Sequence, residues 1–175
     1  MALAHLRGLA RWTGPHPHST IGRRPFNRDA FADRIQDHID RFRWSVTAVV
    51  PTYDDPCTPF AYTVGLTEHA HPELVIAGLD PITSQALLND VAGRVVHRQA
   101  RFDDGQRLDD LLAGYDAIII GGVATDALHP GAAHARYGSH RVRLQQIVWP
   151  DRDGRFPWQA GYAYPPQVQP LLRQP

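Results

Sequence analysis

The order of its apolar patterns is the feature that most constrains how this chain of 175 residues can fold. One amphipathic helix pattern comes first, and three strand-like runs follow it before the next helix pattern begins. The later strand-like and helical runs do not alternate regularly. A doubly wound parallel sheet needs strands and helices that alternate along the chain. The order therefore favours an α+β fold with a mostly antiparallel sheet or a small barrel, flanked by about three helices.

The two longest helix patterns carry clear start signals. Asn27 predicts an N-terminal cap, and Asp80 followed by Pro81 predicts a second one. Short helices are also expected around residues 108–112 and over residues 129–137, with Gly138 ending the latter. The apolar face of the first helix is expected to consist of Phe31, Ile35, Ile39 and Phe42.

Five runs are typical of strands. The first two are separated by a short Asp- and Pro-rich turn, so a hairpin is expected. The fourth run is almost entirely apolar, which predicts a strand buried on both faces. Alternation in the fifth run predicts a strand with one exposed face. The runs cover residues 44–50, 60–66, 74–79, 115–123 and 141–148.

Composition shifts divide the chain into an arm and one domain. Residues 1–25 are rich in Gly and Pro, which predicts a mobile N-terminal arm. Residues 26–175 are expected to form a single α+β domain. Its end, residues 149–175, is rich in Pro, Gly and aromatic residues and is expected to wrap over the body without regular structure.

The charged residues and Cys57 exclude several kinds of chemistry. All 18 basic residues are Arg, so no Schiff-base lysine and no P-loop lysine exist. The single Cys57 excludes an intrachain disulfide and a multi-cysteine metal site. The formal net charge is zero, and Arg is interleaved with Asp, so no nucleic-acid partner is expected. No apolar run approaches the roughly 20 residues of a membrane span, and we expect a cytoplasmic protein without a membrane partner.

An ordered set of short motifs carries a family resemblance. Residues 59–67 end in Thr-Val-Gly-Leu-Thr, residues 71–74 read His-Pro-Glu-Leu, and residues 146–151 read Gln-Ile-Val-Trp-Pro-Asp. With these motifs the chain resembles the bacterial domain-of-unknown-function family 4262 over roughly residues 42–172. This resemblance implies no established activity.

A fold-level similarity extends to flavin-reductase-like split barrels, in which loop hydroxyls, backbone amides and basic side chains hold the flavin phosphate. It implies a small split barrel, FMN or haem as cofactor, and a homodimer. It also implies that Thr63 and Thr67 lie near a cofactor phosphate, with Tyr62 beside them and either Arg98 or Arg101 neutralising the phosphate.

Glu68, His69, His71 and Glu73 form the densest cluster of ligand-type side chains. In an extended segment His69 and His71 would point to the same side and could hold a metal with a third ligand. The favoured alternative is a turn at His71 in which Glu73 accepts hydrogen bonds from neighbouring backbone amides. We therefore predict no metal site and keep His71 and Glu73 as candidate catalytic residues.

A second cluster lies near the C-terminus. Trp149 and Trp158 could form a lid that stacks on a flat ligand, or a small core that holds the C-terminal segment. Gln146 and Asp151 could accept an indole N–H. On the lid interpretation Gln146, Trp149 and Trp158 bind a cofactor and Asp151 is catalytic.

Three functions remain open from the sequence. The first is a protein that binds a small-molecule ligand or cofactor, including a flavin- or haem-dependent oxidoreductase. The second is a non-enzymatic protein-interaction module. The third is a metal-dependent hydrolase.

Overall fold

The computed structural model describes residues 27–175, so the predicted arm over residues 1–25 lies outside the described part. Three α-helices and six β-strands form one α+β arrangement, and the α+β prediction is confirmed. The helices are α1 (Arg28–Phe42), α2 (Pro81–Arg98) and α3 (Gly131–Tyr137). The strands are β1 (Ser45–Val49), β2 (Phe60–Val64), β3 (Glu73–Ala77), β4 (Arg107–Leu112), β5 (Tyr115–Gly122) and β6 (Leu144–Val148).

All six strands belong to one sheet with the order β1-β2-β3-β6-β5-β4. Four of the five neighbouring pairs are antiparallel, and β3 pairs with β6 in parallel. The expected hairpin of the first two strands is present as β1 and β2. The sheet is open, with β1 and β4 at its edges, so the structure has the mostly antiparallel sheet and not a closed barrel.

Helix α1 begins directly after the predicted cap residue, Asn27, and buries part of the predicted apolar face. The side chain of Asn27 accepts a hydrogen bond from the Ala30 amide at 3.0 Å, which satisfies a free N–H of the first turn. Ile35 and Ile39 are buried on its inner face. The helix ends where Arg43 adopts a left-handed conformation with φ 76° and donates its N–H to Ile39.

Helix α2 covers one face of the sheet. Asp80 accepts the amide hydrogens of Ile82 and Thr83, as its predicted capping role requires. The side chains of α2 pack against those of the inner strands, and full burial of each large apolar side chain contributes roughly 1.5–3 kcal/mol. The core on this face includes Leu66, Leu74, Ile76, Leu88, Val91, Val95, Ile119 and Ile147.

The opposite face of the sheet is covered by α1, by α3 and by the C-terminal segment. Ile39 of α1, Ala133 of α3 and Leu172 belong to one apolar cluster with Val75 and Leu144 of the sheet. No helix or strand follows residue 148, as predicted for the C-terminal segment. Within residues 27–175, no helix combines the length and apolarity that crossing a membrane requires.

The prediction of a short helix around residues 108–112 is wrong, because this segment is the edge strand β4. Leu108 pairs with Ala117 and Leu112 pairs with Tyr115, and the register shifts between these two pairs. Such a bulge interrupts the period of two that a strand normally shows, so the leucine spacing resembles that of a helix. The sheet accordingly has six strands, one more than the sequence predicted.

The prediction that residues 141–148 form a half-exposed strand is also wrong. Strand β6 begins at Leu144, lies between β3 and β5, and is buried at all five positions. Its polar side chains, Gln145 and Gln146, are buried because their amides donate to the backbone of distant segments. Phe42, expected on the buried face of α1, is 51% exposed.

Candidate functional site

His71 lies between a short 3₁₀ turn (Leu66–His69) and strand β3. The turn shows that this segment is not extended, so the arrangement that would point His69 and His71 to the same side is absent. The amide of His71 donates to the Leu66 carbonyl at 3.1 Å, which brings the chain back toward the sheet. The side chain of His71 is only 3% exposed.

The hydrogen bonding of His71 defines its tautomer. Nδ1 lies 2.7 Å from the carbonyl oxygen of Pro72, and a carbonyl accepts only, so Nδ1 carries the proton. Nε2 then has a free lone pair, and it is buried without a hydrogen-bond partner. Burial lowers the pKa of the imidazole, and the positive charges of Arg101 and Arg143 lower it further. His71 is therefore a neutral acceptor at neutral pH.

Gln145 supplies a second acceptor of the same kind. It lies in β6, opposite Leu74 of β3, and is 8% exposed. Its Nε2 donates to the carbonyl oxygen of Phe102 at 2.7 Å, which fixes the orientation of the amide. Its Oε1 is buried and has no partner. If the amide were flipped, Oε1 would lie against the carbonyl oxygen of Phe102, and neither oxygen can donate. Oε1 is therefore the atom without a partner.

Phe102 connects the two groups. The ring of Phe102 meets the ring of His71 edge to face at 5.9 Å, and the carbonyl of Phe102 holds Gln145. Within residues 27–175, His71 Nε2 and Gln145 Oε1 are the two buried side-chain polar atoms without a partner. Buried polar groups are nearly always paired in folded proteins, so two such atoms beside one residue mark a candidate ligand site.

Glu73 occupies a fully buried position at the start of β3. Its carboxylate accepts five hydrogen bonds, two from threonine hydroxyls and three from backbone amides. Burial raises the pKa of this carboxyl, while the hydrogen bonds act in the opposite direction. The donors are Thr63 Oγ1 (2.6 Å), Gly65 N (3.0 Å), Leu66 N (3.2 Å), Thr67 N (3.0 Å) and Thr67 Oγ1 (2.8 Å).

The hydroxyls of Thr63 and Thr67 therefore point to Glu73. A flavin phosphate placed between them would meet a carboxylate in the same space, so this position does not fit the group. The hydroxyl of Tyr62 accepts the amide hydrogen of Ala132 at 3.0 Å and thereby links β2 to α3. Arg98 is exposed on the last turn of α2.

The residues predicted near the C-terminus hold the C-terminal segment in the described structure. Gln146 donates to the Pro170 carbonyl at 2.8 Å and accepts the Leu172 amide hydrogen at 2.9 Å. The indole of Trp149 donates to the Ala77 carbonyl at 2.8 Å and not to a side chain of Gln or Asp. This arrangement corresponds to the small-core interpretation of the cluster.

Asp151 closes the loop between β6 and the C-terminal segment. Its Oδ1 accepts the amide hydrogens of Asp153 and Arg155, and its Oδ2 accepts that of Ala163, each at 2.9 Å. These hydrogen bonds hold the pKa of the Asp151 carboxyl below its usual value, although desolvation opposes them. Trp158 stacks on Phe156 with ring centres 5.1 Å apart. Neither residue lies beside His71 in the described contacts.

The other histidines do not form a metal centre in the described structure. The rings of His129 and His134 meet edge to face at 4.8 Å. Within residues 27–175, no three His, Cys, Asp or Glu side chains are arranged to hold a metal ion. The sequence does not indicate Gln145 as a site residue. The alternation of residues 141–148 predicts that its polar side chain faces solvent.

Two open clefts of about 400 and 460 Å³ lie elsewhere, along the C-terminal segment and the loop before β2. They share Thr58 and Ala127 in their walls, and Cys57 and His129 line the second. No side chain that lines either cleft has a buried polar atom without a partner. The unpartnered atoms at His71 and Gln145 are therefore the stronger sign of a site.

The fold and site define an α+β protein with an open six-stranded sheet and two buried acceptors at one end of it. The family described as Domain of unknown function (DUF4262) matches residues 38–163. The chain belongs to this family, as its motifs indicated. No curated protein and no solved structure matches the chain.

Proposed function

We propose that this protein binds a small-molecule ligand at a site formed by His71, Gln145 and Phe102. The observation that carries the proposal is the pair of buried, unpartnered acceptors, His71 Nε2 and Gln145 Oε1. A buried acceptor without a donor costs roughly 1–3 kcal/mol. A ligand that brings N–H or O–H groups to both atoms removes this cost, and that gain favours the bound state.

Neighbouring residues support a preorganised site. The Pro72 carbonyl fixes the tautomer of His71, and the Phe102 carbonyl fixes the amide of Gln145. Both acceptors therefore face their ligand without a change of orientation. Groups held in this way bind with a smaller entropy loss than mobile side chains.

The test is native mass spectrometry of the protein purified under mild conditions, with an absorption spectrum of the same sample. We expect the wild-type protein to have a mass above that of the bare chain. The variants His71→Phe and Gln145→Leu should each have only the mass of the bare chain. Gln85→Leu is the matched control, because Gln85 is exposed on α2 and takes part in none of these contacts. Visible absorption bands would identify the ligand as a flavin or haem and extend the proposal to redox chemistry.

Bare mass in the native protein, together with unchanged His71 NMR signals when the low-mass fraction of a cell extract is added, would contradict ligand binding. The interaction-module function would then be favoured. The same spectra report whether the chain is a homodimer, which stays a prediction.

A further inference from the structure

We infer that the ligand at His71 and Gln145 is a small organic anion that carries two hydroxyl or N–H donors beside its charged group, as a dihydroxy acid does. This inference rests on the proposed function and names the class of ligand. It follows from the hydrogen-bonding character of the two buried atoms and from the charges around them.

The two buried atoms require donors. His71 Nε2 has a lone pair and no proton, because Nδ1 is the protonated nitrogen. Gln145 Oε1 accepts only. A ligand group that offers only acceptors, such as a bare carboxylate, would leave both atoms unpaired. The ligand therefore brings two O–H or N–H groups to this point, one for each atom.

The surrounding charges favour an anion. The guanidinium of Arg101 donates to the carbonyl oxygens of Ala100 and His69, both at 3.0 Å. The carbonyl oxygen of Arg143 accepts the amide hydrogen of Glu73 at 2.9 Å. Each arginine is thus bonded to a residue two positions from His71. Neither arginine forms an ion pair with an acid among residues 27–175. Among residues 27–175, Arg94, Arg107, Arg136, Arg155 and Arg173 do form such pairs.

Two arginines without acidic partners beside buried acceptors form a positive environment that attracts a carboxylate or phosphate. The same charges oppose a metal cation at His71. A carboxylate also accepts hydrogen bonds from a guanidinium more strongly than a backbone carbonyl does. Arg101 is therefore able to exchange the His69 carbonyl for the anion when the ligand enters beside Phe102.

Three compounds with a three-carbon skeleton separate these requirements. Glycerate has a carboxylate and two hydroxyls, propionate has only the carboxylate, and propane-1,2-diol has only the two hydroxyls. Each is titrated into the full chain, and the imidazole NMR signals of His71 report binding. We expect glycerate to bind roughly tenfold or more tightly than either of the other two. The diol loses a charge-assisted hydrogen bond and propionate leaves buried acceptors unpaired, and each loss is worth about that factor.

Arg143 and Arg141 provide a matched pair of variants, because both are exposed arginines just before β6. Arg143→Gln is expected to weaken glycerate binding roughly tenfold and to leave the binding of propane-1,2-diol unchanged. Arg141→Gln is expected to change neither. Both positions are on the surface, so the variants should fold.

The outcomes separate the two proposals. If the diol binds as tightly as glycerate, the site takes donors without a charge and the anion inference is overturned, while the proposed function stands. If propionate binds as tightly as glycerate, the requirement for donors is overturned. If none of the three changes the His71 signals, this inference is overturned. The proposed function fails with it only when the native protein has the bare mass and the cell extract also leaves the His71 signals unchanged.

Discussion

The side chain of Glu73 accepts two hydrogen bonds from Thr67, one from its amide at 3.0 Å and one from its hydroxyl at 2.8 Å. The first bond holds the backbone of the turn before β3, and the second fixes the threonine side chain. Thr63 donates to the same carboxylate from β2. Glu73 thus joins the end of one strand to the turn that places His71.

Glu73→Gln is expected to lower the free energy of unfolding by roughly 2–4 kcal/mol. The amide of glutamine offers one acceptor oxygen, so buried donors such as the Gly65 amide lose their partner. The measurement is urea unfolding at neutral pH. Glu68→Gln is the control, because Glu68 is an exposed member of an ion pair with Arg136, and its loss should cost less than about 1 kcal/mol. Equal effects of the two changes would contradict this role for Glu73.

The lowered pKa of His71 predicts a pH dependence of stability. Between the folded pKa and the unfolded value of about 6.5, the unfolded chain binds more protons than the folded chain. Stability therefore rises with pH across this window and is lost as the pH falls below about 6.5, with a limiting slope of about 1.4 kcal/mol per pH unit. His71→Phe should remove this part of the dependence, whereas exposed His140→Phe should retain it. Parallel stability curves for wild type and His71→Phe would be inconsistent with a buried neutral imidazole.

Gly78 is expected to be intolerant of a side chain. It has φ 80°, and a Cβ there would lie 2.1 Å from the Val168 carbonyl oxygen. Gly78→Ala should therefore displace the C-terminal segment and lower the free energy of unfolding by more than about 3 kcal/mol. Gly105 has φ 81°, and a Cβ there would have no atom within 4 Å. Gly105→Ala should therefore lower the free energy of unfolding only by the roughly 1–2 kcal/mol that a left-handed backbone conformation costs alanine. The comparison is made by thermal unfolding, and similar losses at both positions would refute the close approach.

Gln169 holds the C-terminal segment against β6. Its amide pairs with both the N–H and the C=O of Trp149, at 3.0 and 2.9 Å. Gln169→Leu leaves these buried backbone groups unpaired and should lower the free energy of unfolding by roughly 2–4 kcal/mol. We also expect faster protease cleavage within residues 160–175. Gln167→Leu is the control, because the contact of Gln167 with Thr58 uses its backbone carbonyl. Unchanged cleavage of the Gln169 variant would argue against this anchoring.

Local signals were sufficient to predict the main helices. Asn27 and Asp80 accept the amide hydrogens that a helix cap must satisfy, and both requirements involve residues within three positions along the chain. The strand register at β4 could not be predicted in this way. Its bulge depends on pairing with β5, and no residue in the 108–112 segment specifies it.

The site was predicted only in part for a related reason. The sequence neighbours of His71 indicate a cluster of ligand-type side chains, but Gln145 is 74 residues away, and the alternation around it predicts an exposed position in a strand. Its burial follows from the parallel pairing of β3 with β6, a long-range contact. The carbonyl of Phe102, which orients the amide, comes from a third segment.

The central claim is that His71 Nε2 and Gln145 Oε1 bind a ligand. The most direct measurement is a high-resolution crystal structure of the protein purified and crystallised without added carboxylic acids or polyols. We expect density for a multi-atom ligand within hydrogen-bond distance of both atoms, with its charged group toward Arg101 or Arg143. A single water bridging the two atoms, or a side-chain rearrangement that pairs them with protein groups, would contradict the account.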